Sequence, residues 1–139
     1  MLNEFEIIIR LLASVIVGLL VGLSRRRKPA GIRTFALISL GSAIFTIVSI
    51  ADMFHAYGSF DPTRIIAQIV AGIGFLGLGV IWKNGISKPA GLTTAAAIWV
   101  TASVGVLAGL GMWIEMIIGT ALILAILYSK EPLRNARIE

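Results

Sequence analysis

The sequence predicts an all-α membrane protein with five transmembrane helices. Of its 139 residues, 58% are hydrophobic and only 14% are charged, whereas soluble domains have about 45–50% apolar and about 25% charged residues. So few charges would not cover the surface of a soluble fold, and the same composition excludes a disordered chain and a nucleic-acid-binding domain. Because the chain has no cysteine, a disulfide-stapled secreted module is excluded as well.

Five apolar segments supply the predicted helices. Crossing the hydrocarbon core takes about 20 predominantly apolar residues, with a range of roughly 17–25. The segments that meet this requirement cover residues 7–23, 34–51, 65–82, 92–110 and 112–128. Nothing before Ile7 resembles a cleaved signal peptide, so the first segment is predicted to be a retained span. We expect one transmembrane domain over residues 1–130 and a short cytoplasmic tail over residues 131–139.

The positive charges predict the orientation. If the spans alternate, ten of the 12 basic residues lie on one side of the membrane and five of the seven acidic residues on the other. Only Arg10 and Arg64 break the separation of basic residues. The positive-inside rule then places the basic connections in the cytoplasm, the N-terminus outside and the C-terminus inside. The net charge of +5 is thus a topology signal.

An eleven-residue segment occurs twice. Residues 28–38 and 88–98 are identical at seven of eleven positions, and both copies lead from a basic connection into an apolar span. This predicts that spans 1–2 and 3–4 form a parallel internal repeat with the fifth span outside it. A glycine permits unusual backbone angles in each turn, and a threonine hydroxyl can satisfy a free helix N–H group. The alternative is that the same favourable turn is used twice. The turn residues are Gly31, Arg33, Thr34, Gly91, Thr93 and Thr94.

Glycines are concentrated on several predicted helices. Residues 72–77 match a G-x-G-x-x-G pattern, but they lie inside an apolar span with no acidic residue about 20 positions later, so a dinucleotide site is rejected. The better interpretation is a helix surface of small residues that lets another helix approach closely. Small-xxx-small spacing also occurs at Gly18 and Gly22 and at Gly105 and Gly109. We expect packing within the chain, with a homodimer as an open alternative.

Polar residues near the outer ends of the spans form the candidate site. Glu6 and Arg10 have the i, i+4 spacing that favours pairing on a helix, and Arg10 is also close enough to the span end to snorkel outward. Asp61 is predicted to cap the third helix, followed by Pro62 at its first position. Ionisable groups inside spans are costly and therefore functional candidates.

We expect one outward-facing polar cluster, which senses a cation, relays protons or holds helix ends together. Its members are Glu6, Arg10, Asp52, Asp61, Arg64 and Gln68. For Arg10, a structural role in pairing with Glu6 and a functional role are both open alternatives. The predicted functional face is Arg64, Gln68, Gly72, Gly74 and Gly77, supported by Arg10 and Asp61.

Catalysis is not predicted. The sequence shows no pairing of a nucleophile with a base, no Cys/His metal cluster and no phosphate-binding loop. We therefore expect no catalytic residues, no cofactor and no dedicated metal site.

Several of these stretches resemble the MgtC/SapB family of bacterial membrane proteins. They are Pro-Ala-Gly-Ile-Arg-Thr at 29–34, Asp-Pro with Arg64, Gly-Ile-Gly-Phe-Leu-Gly at 72–77 and Gly-Leu-Thr-Thr-Ala-Ala at 91–96, and the resemblance extends from about residue 5 to 110. The resemblance implies a location in the bacterial inner membrane and a link to growth in low magnesium. Pathogenic members have a role in survival inside host phagocytes, and some are thought to bind and restrain the F-type ATP synthase or other membrane proteins.

The chain departs from the family pattern after Gly22-Leu23. The family usually continues with an acid-Arg-acid triplet, whereas this chain has Ser24-Arg25-Arg26, so Arg25 alone carries over. Some members also continue into a soluble C-terminal domain on the cytoplasmic side, and we expect no regulation of that kind from these 139 residues.

The predicted function is modulation of ion homeostasis or membrane energetics through helix–helix contact with partner proteins. The partners are membrane lipids and other integral membrane proteins. The main alternative is a small oligomeric channel or transporter for a cation or proton, gated at the outer cluster. A purely structural assembly factor is a third alternative.

Overall fold

Five α-helices make up the computed structural model, which describes residues 2–26, 28, 30–51, 61–83, 85 and 89–129. None of these residues forms a strand. The all-helical prediction is therefore confirmed for this part of the chain. The helices are α1 (Glu4–Ser24), α2 (Ile32–Ser49), α3 (Thr63–Ile81), α4 (Leu92–Leu110) and α5 (Trp113–Tyr128).

Helices α1 to α4 are each long and apolar enough to cross a membrane. Helix α5 is apolar but has only 16 residues. At 1.5 Å per residue it is about 24 Å long, which is less than the roughly 30 Å of a typical hydrocarbon core. Four candidate spans are thus established, and the fifth span stays a prediction.

The start of α1 lies earlier than the apolar pattern predicts. The side chain of Asn3 accepts a hydrogen bond from the backbone N–H of Phe5 at 3.4 Å. Glu4 and Glu6 occupy the first turn, where negative charge interacts favourably with the helix dipole. These polar residues extend the helix beyond the apolar segment that begins at Ile7.

Helix α4 is the centre of the bundle and contacts each of the other four helices. Fully buried side chains of α2 and α4, including Phe35 and Ile98, pack with Val21 of α1 in one part of the core. A second part joins Val17, Val104 and Met116. About half of the residues of α4 are buried by these contacts.

Glycines allow the helix backbones to approach closely. A Cβ atom at Gly18 would lie 2.6 Å from Cα of Ala36, and one at Gly22 would lie 2.6 Å from Cα of Ile32. Cβ atoms that close do not occur, so these positions require glycine while the helices keep this distance. Gly105 and Gly109 meet α2 in the same way. Packing within the chain through both small-xxx-small pairs is confirmed.

Helices that follow one another in the chain run in opposite directions and define two ends of the bundle. Arg25, after α1, contacts Thr94 in the first turn of α4. Arg10, near the start of α1, reaches Gly109 near the end of α4. The end that contains Arg25 and Thr94 is called the basic end below. The opposite end is called the acidic end, because Glu4, Glu6, Asp61 and Glu115 lie there.

We predict that Gly105→Ala destabilises the protein by about 1–3 kcal/mol, the usual range for overpacking a tight contact. The added Cβ would lie 2.9 Å from Cα of Ser39, so α2 and α4 must separate. Thermal unfolding in detergent, followed by circular dichroism, measures the effect.

The matched control is Gly41→Ala in α2, because a Cβ there meets nothing within 4 Å. Alanine has the better helix propensity, so this variant should be as stable as the parent or up to about 1 kcal/mol more stable. Equal destabilisation by both variants would contradict the packing explanation.

Candidate functional site

Arg10 is buried between α1 and α4. The residue is only 7% exposed, and Nη1 donates a hydrogen bond of 2.7 Å to the backbone carbonyl of Gly109. Nη2 forms a salt bridge with the carboxylate of Glu6, one turn earlier on α1. The predicted pairing with Glu6 is confirmed, but the side chain turns inward to α4 and does not snorkel to the surface.

The end of α4 is shaped to receive this guanidinium group. Gly111 follows the helix with φ 76°, in the left-handed region that commonly ends helices. A Cβ there would lie 2.8 Å from Nη2 of Arg10. A cation beside the last carbonyl groups of a helix also interacts favourably with its dipole. Arg10 therefore holds the start of α1 against the end of α4.

Asp61 caps the start of α3, as predicted. Its Oδ1 accepts hydrogen bonds from the backbone N–H of Thr63 at 2.9 Å and from the Thr63 hydroxyl at 2.7 Å. These two bonds, helped by the charge of Arg64, lower the pKa of Asp61. Helix α3 begins at Thr63, and Pro62 precedes it with backbone angles that are already helical. Asp61 therefore acts as an exposed, charged helix cap.

The predicted functional face of α3 is divided between different surroundings. Gln68 and Gly72 line a groove between α2 and α3, because residues four apart lie above one another on a helix. Gly77 is buried and faces Ala95 of α4, with 3.5 Å from an added Cβ to the Ala95 Cβ. Arg64 and Gly74 are exposed and do not line the groove. The five residues thus do not form one surface.

The single outward-facing cluster is not assembled among the described residues. Arg10 and Glu6 belong to α1, whereas Arg64 and Gln68 belong to α3, and these two helices do not contact each other. Helix α4 keeps them apart by contacting both. Asp52 lies outside the described residues. Within the described ranges, no group of three or more His, Cys, Asp or Glu residues is placed to hold a metal ion.

The two predicted turns of the repeat differ in backbone and capping. Gly91 has φ 76° and precedes α4, as its predicted role requires, but Gly31 has φ −107°, which any residue adopts. Neither α2 nor α4 has a side-chain cap at its start. The prediction that threonine hydroxyls cap these helices is therefore wrong for the described contacts. Thr34 lines the groove, and Arg33 and Thr93 are exposed.

Thr94 instead accepts a hydrogen bond from Arg25, which belongs to the predicted basic connection between α1 and α2. Arg25 is only 3% exposed, and Nη2 of its guanidinium contacts the Thr94 hydroxyl. The position directly after α1 is favourable for a cation because of the helix dipole. The burial of Arg25 is not apparent from the sequence, because Arg25 stands in a run of basic residues that is typical of an exposed connection. The family resemblance, which carries over Arg25 alone from its triplet, is the signal that singles it out.

The groove between α2 and α3, called the α2–α3 groove below, has a volume of about 810 Å³. Gly41, Gly72 and Gly79 lie along it, and a Cβ at any of the three would meet nothing within 4 Å. Thr34 and Lys83 line it at the basic end. Of the residues in α3, only Ile69 and Gly77 are buried. The groove and the exposed side of α3 are therefore both available for binding.

We predict that Arg10→Ala lowers the free energy of unfolding by about 1.5–3 kcal/mol, the range for hydrogen bonds to charged groups. The change leaves the Gly109 carbonyl without its donor and removes the partner of Glu6. Thermal or denaturant unfolding of the detergent-solubilised protein measures the loss.

Arg64→Ala is the control, since it removes the same charge from an exposed position and should change stability by less than about 0.5 kcal/mol. If Arg10→Ala and Arg64→Ala are equally stable, the buried contact does not hold α1 and α4 together.

Comparisons with known proteins agree with the resemblance in the sequence. The sequence profile of the MgtC family matches residues 11–136. MgtC of Salmonella typhimurium is 43% identical over 122 residues, which cover 86% of this chain and 50% of that protein. SrpB of Synechococcus elongatus is 41% identical over 122 residues, covering 80% of this chain and 67% of SrpB.

An uncharacterised protein of Synechocystis is 41% identical over 130 residues, covering 92% of this chain and 53% of that protein. The chain thus spans about half to two thirds of the length of these relatives. No solved structure matches. A profile match over most of the chain, together with these identities, shows that the protein belongs to the MgtC family.

Proposed function

We propose that the protein adapts bacteria to low magnesium by binding other integral membrane proteins, such as the F-type ATP synthase, and modulating their activity. In this proposal it lies in the inner membrane, supports ion and energy homeostasis and catalyses no reaction itself. The family implies this role, and the observation that carries it here is the exposure of α3. Only two residues of this apolar helix are buried by the rest of the described chain.

One side of α3 is suited to contact with another helix. We call it the outer face of α3, and it consists of exposed residues spaced three or four apart: Arg64, Ala67, Ala71, Gly74 and Leu78. In lipid there is no hydrophobic force between helices, so small residues that permit close approach favour association. A Cβ at Gly74 would meet nothing within 4 Å, so a partner helix has access to this backbone.

Arg64 adds a polar contact near the acidic end of this face. It is exposed in the first turn of α3 and lies close to Asp61, which caps this helix. Hydrogen bonds between helices in a membrane contribute about 1–2 kcal/mol in model peptides. Arg64 and Gly74 are therefore the residues of the predicted site that we retain for partner binding, whereas Gln68 and Gly72 face the α2–α3 groove.

We predict that a strain lacking the protein grows poorly in low magnesium and is restored by the parent chain but not by Gly74→Leu. The leucine side chain occupies the position where a partner backbone would approach. Growth across a magnesium and pH series is measured, with co-purification of the ATP synthase as the biochemical readout.

Gly72→Leu is the matched control, because it places the same side chain on the groove side of α3. Full activity of Gly74→Leu would overturn the assignment of the outer face. Cation or proton flux in liposomes that disappears in Asp61→Asn or Arg64→Ala would overturn binding as the sole mechanism and favour the channel alternative.

We further propose the topology and internal symmetry indicated by the sequence. The N-terminus is outside, the basic end is cytoplasmic, α5 completes a fifth span, and α1–α2 and α3–α4 form a parallel repeat. Two observations support the repeat. Arg25, after α1, meets Thr94 of α4, and Lys83, after α3, lines a groove with the matching Thr34 of α2. The proposed homodimer would form through the outer face of α3.

We predict that a reporter fused at residue 129 is active when it requires the cytoplasm and silent when it requires the periplasm. The positive-inside rule supplies the reason, because the basic connections remain in the cytoplasm. A second fusion at residue 111, between α4 and α5, is the control and should behave in the opposite way. Periplasmic activity at residue 129 would contradict both the orientation and the fifth span.

A further inference from the structure

The α2–α3 groove has the dimensions of a ligand site. Its volume of about 810 Å³ falls within the roughly 300–1,000 Å³ typical of small-molecule pockets. At 1.5 Å per residue, its α3 side from Gln68 to Lys83 is about 22 Å long. That is more than half of the roughly 30 Å hydrocarbon core, so one acyl chain of a single leaflet fits along it.

The lining changes from apolar to charged along this length. Leu37, Ile73 and Leu76 provide apolar walls, and Gly72 supplies space where a larger residue would fill the groove. Lys83 lies at the basic end, directly after α3. An occupant must therefore be apolar over most of its length and must carry a group at one end that interacts with an ammonium.

The charges of the described chain indicate the sign of that group. Every acidic residue in the described ranges lies at the acidic end, and the charged residues that these ranges place at the basic end are all cations. A second copy packed in parallel would bring its own basic end against Lys83, and like charges repel. The cations of the basic end are Arg25, Arg26, Lys28, Arg33 and Lys83. The groove is thus complementary to an anion with an apolar tail and not to a second copy.

We propose that the α2–α3 groove binds an anionic phospholipid, with an acyl chain along Gly72 and Gly41 and the phosphate beside Lys83 and Thr34. Basic pockets between transmembrane helices bind anionic headgroups in this way. The hydroxyl of Thr34 adds a hydrogen-bond donor at the same end. This inference does not depend on the proposed partner or on magnesium.

The test is native mass spectrometry of the full chain in detergent with phosphatidylglycerol or phosphatidylethanolamine of identical acyl chains. The parent chain should bind phosphatidylglycerol more tightly. Lys83→Gln should weaken that binding roughly fivefold, the effect of one interfacial cation. Arg26→Gln should leave it unchanged, because Arg26 is an exposed cation of the basic end that does not line the groove. Equal binding of both lipids by the parent chain would overturn the proposal.

A second pair of variants tests the groove itself. Gly72→Leu and Gly41→Leu fill it without a clash at Cβ and should weaken binding of both lipids roughly tenfold or more, as expected for overpacking. Gly74→Leu, on the outer face of α3, should bind like the parent chain. Loss of lipid binding in Gly74→Leu would overturn the proposal. A dimer that dissociates only in Gly72→Leu would also overturn it, because the occupant of the groove would then be a second copy of the chain. Circular dichroism confirms that each variant is folded.

Partner binding at the outer face of α3 and lipid binding in the α2–α3 groove are separated by two variants. Gly74→Leu should impair growth in low magnesium while retaining the lipid, and Gly72→Leu should lose the lipid while retaining the partner. Failure of one proposal therefore leaves the other testable on the same protein.

Discussion

The close approach of helix backbones at glycine is the constraint on which the other features of the bundle depend. Helices in a bilayer are not driven together by the hydrophobic effect, since lipid tails are as apolar as leucine, so packing contacts carry their association. Gly18 and Gly22 bring α1 onto α2, and Gly105 and Gly109 bring α4 onto α2. Once these backbones are in contact, α1 also lies against α4. Arg10 in α1 then reaches one end of α4, and Arg25, directly after α1, reaches the other.

The two arginines make that arrangement specific. Arg10 donates to the carbonyl of Gly109 near the end of α4, and Arg25 donates to Thr94 in its first turn. Both are buried, and the Nε atom of each makes no hydrogen bond to the described chain. A sliding movement of α1 along α4 would separate both guanidinium groups from their acceptors. This separation is unfavourable because charged groups without partners are costly in a membrane. The pair therefore defines the register of α1 against α4.

Helix α3 differs because it lies outside this arrangement. It contacts α4 and, less closely, α2, while α1 does not reach it. One consequence is the α2–α3 groove, and the other is the exposed outer face of α3. Among the described residues that line the groove, the charge is that of Lys83 at the basic end, which suits a lipid, whereas the small residues of the outer face suit a helix. Binding of lipid and of protein would thus occupy separate sides of the same helix, and a lipid in the groove would support the side of α3 that the protein leaves open.

The sequence by itself determined the helices and the family. Helix α4 has the predicted bounds because Gly91 and Gly111, both in the left-handed region, lie on either side of it. The i, i+4 spacing of Glu6 and Arg10 predicted their pairing, and Asp61 was recognisable as a cap from its place before Pro62. Each of these depends on neighbours in sequence, for which local rules suffice.

Only the tertiary structure decided which surfaces are covered. It placed Arg25 inside the bundle, separated Arg10 from Arg64, and turned Gln68 and Gly77 of α3 to different neighbours. The physical reason is that lipid and protein interior are both apolar. A transmembrane helix is hydrophobic all round, so its periodicity does not show which side faces another helix. That choice depends on the contacts between backbones that glycine permits, and these become visible only when the helices are assembled.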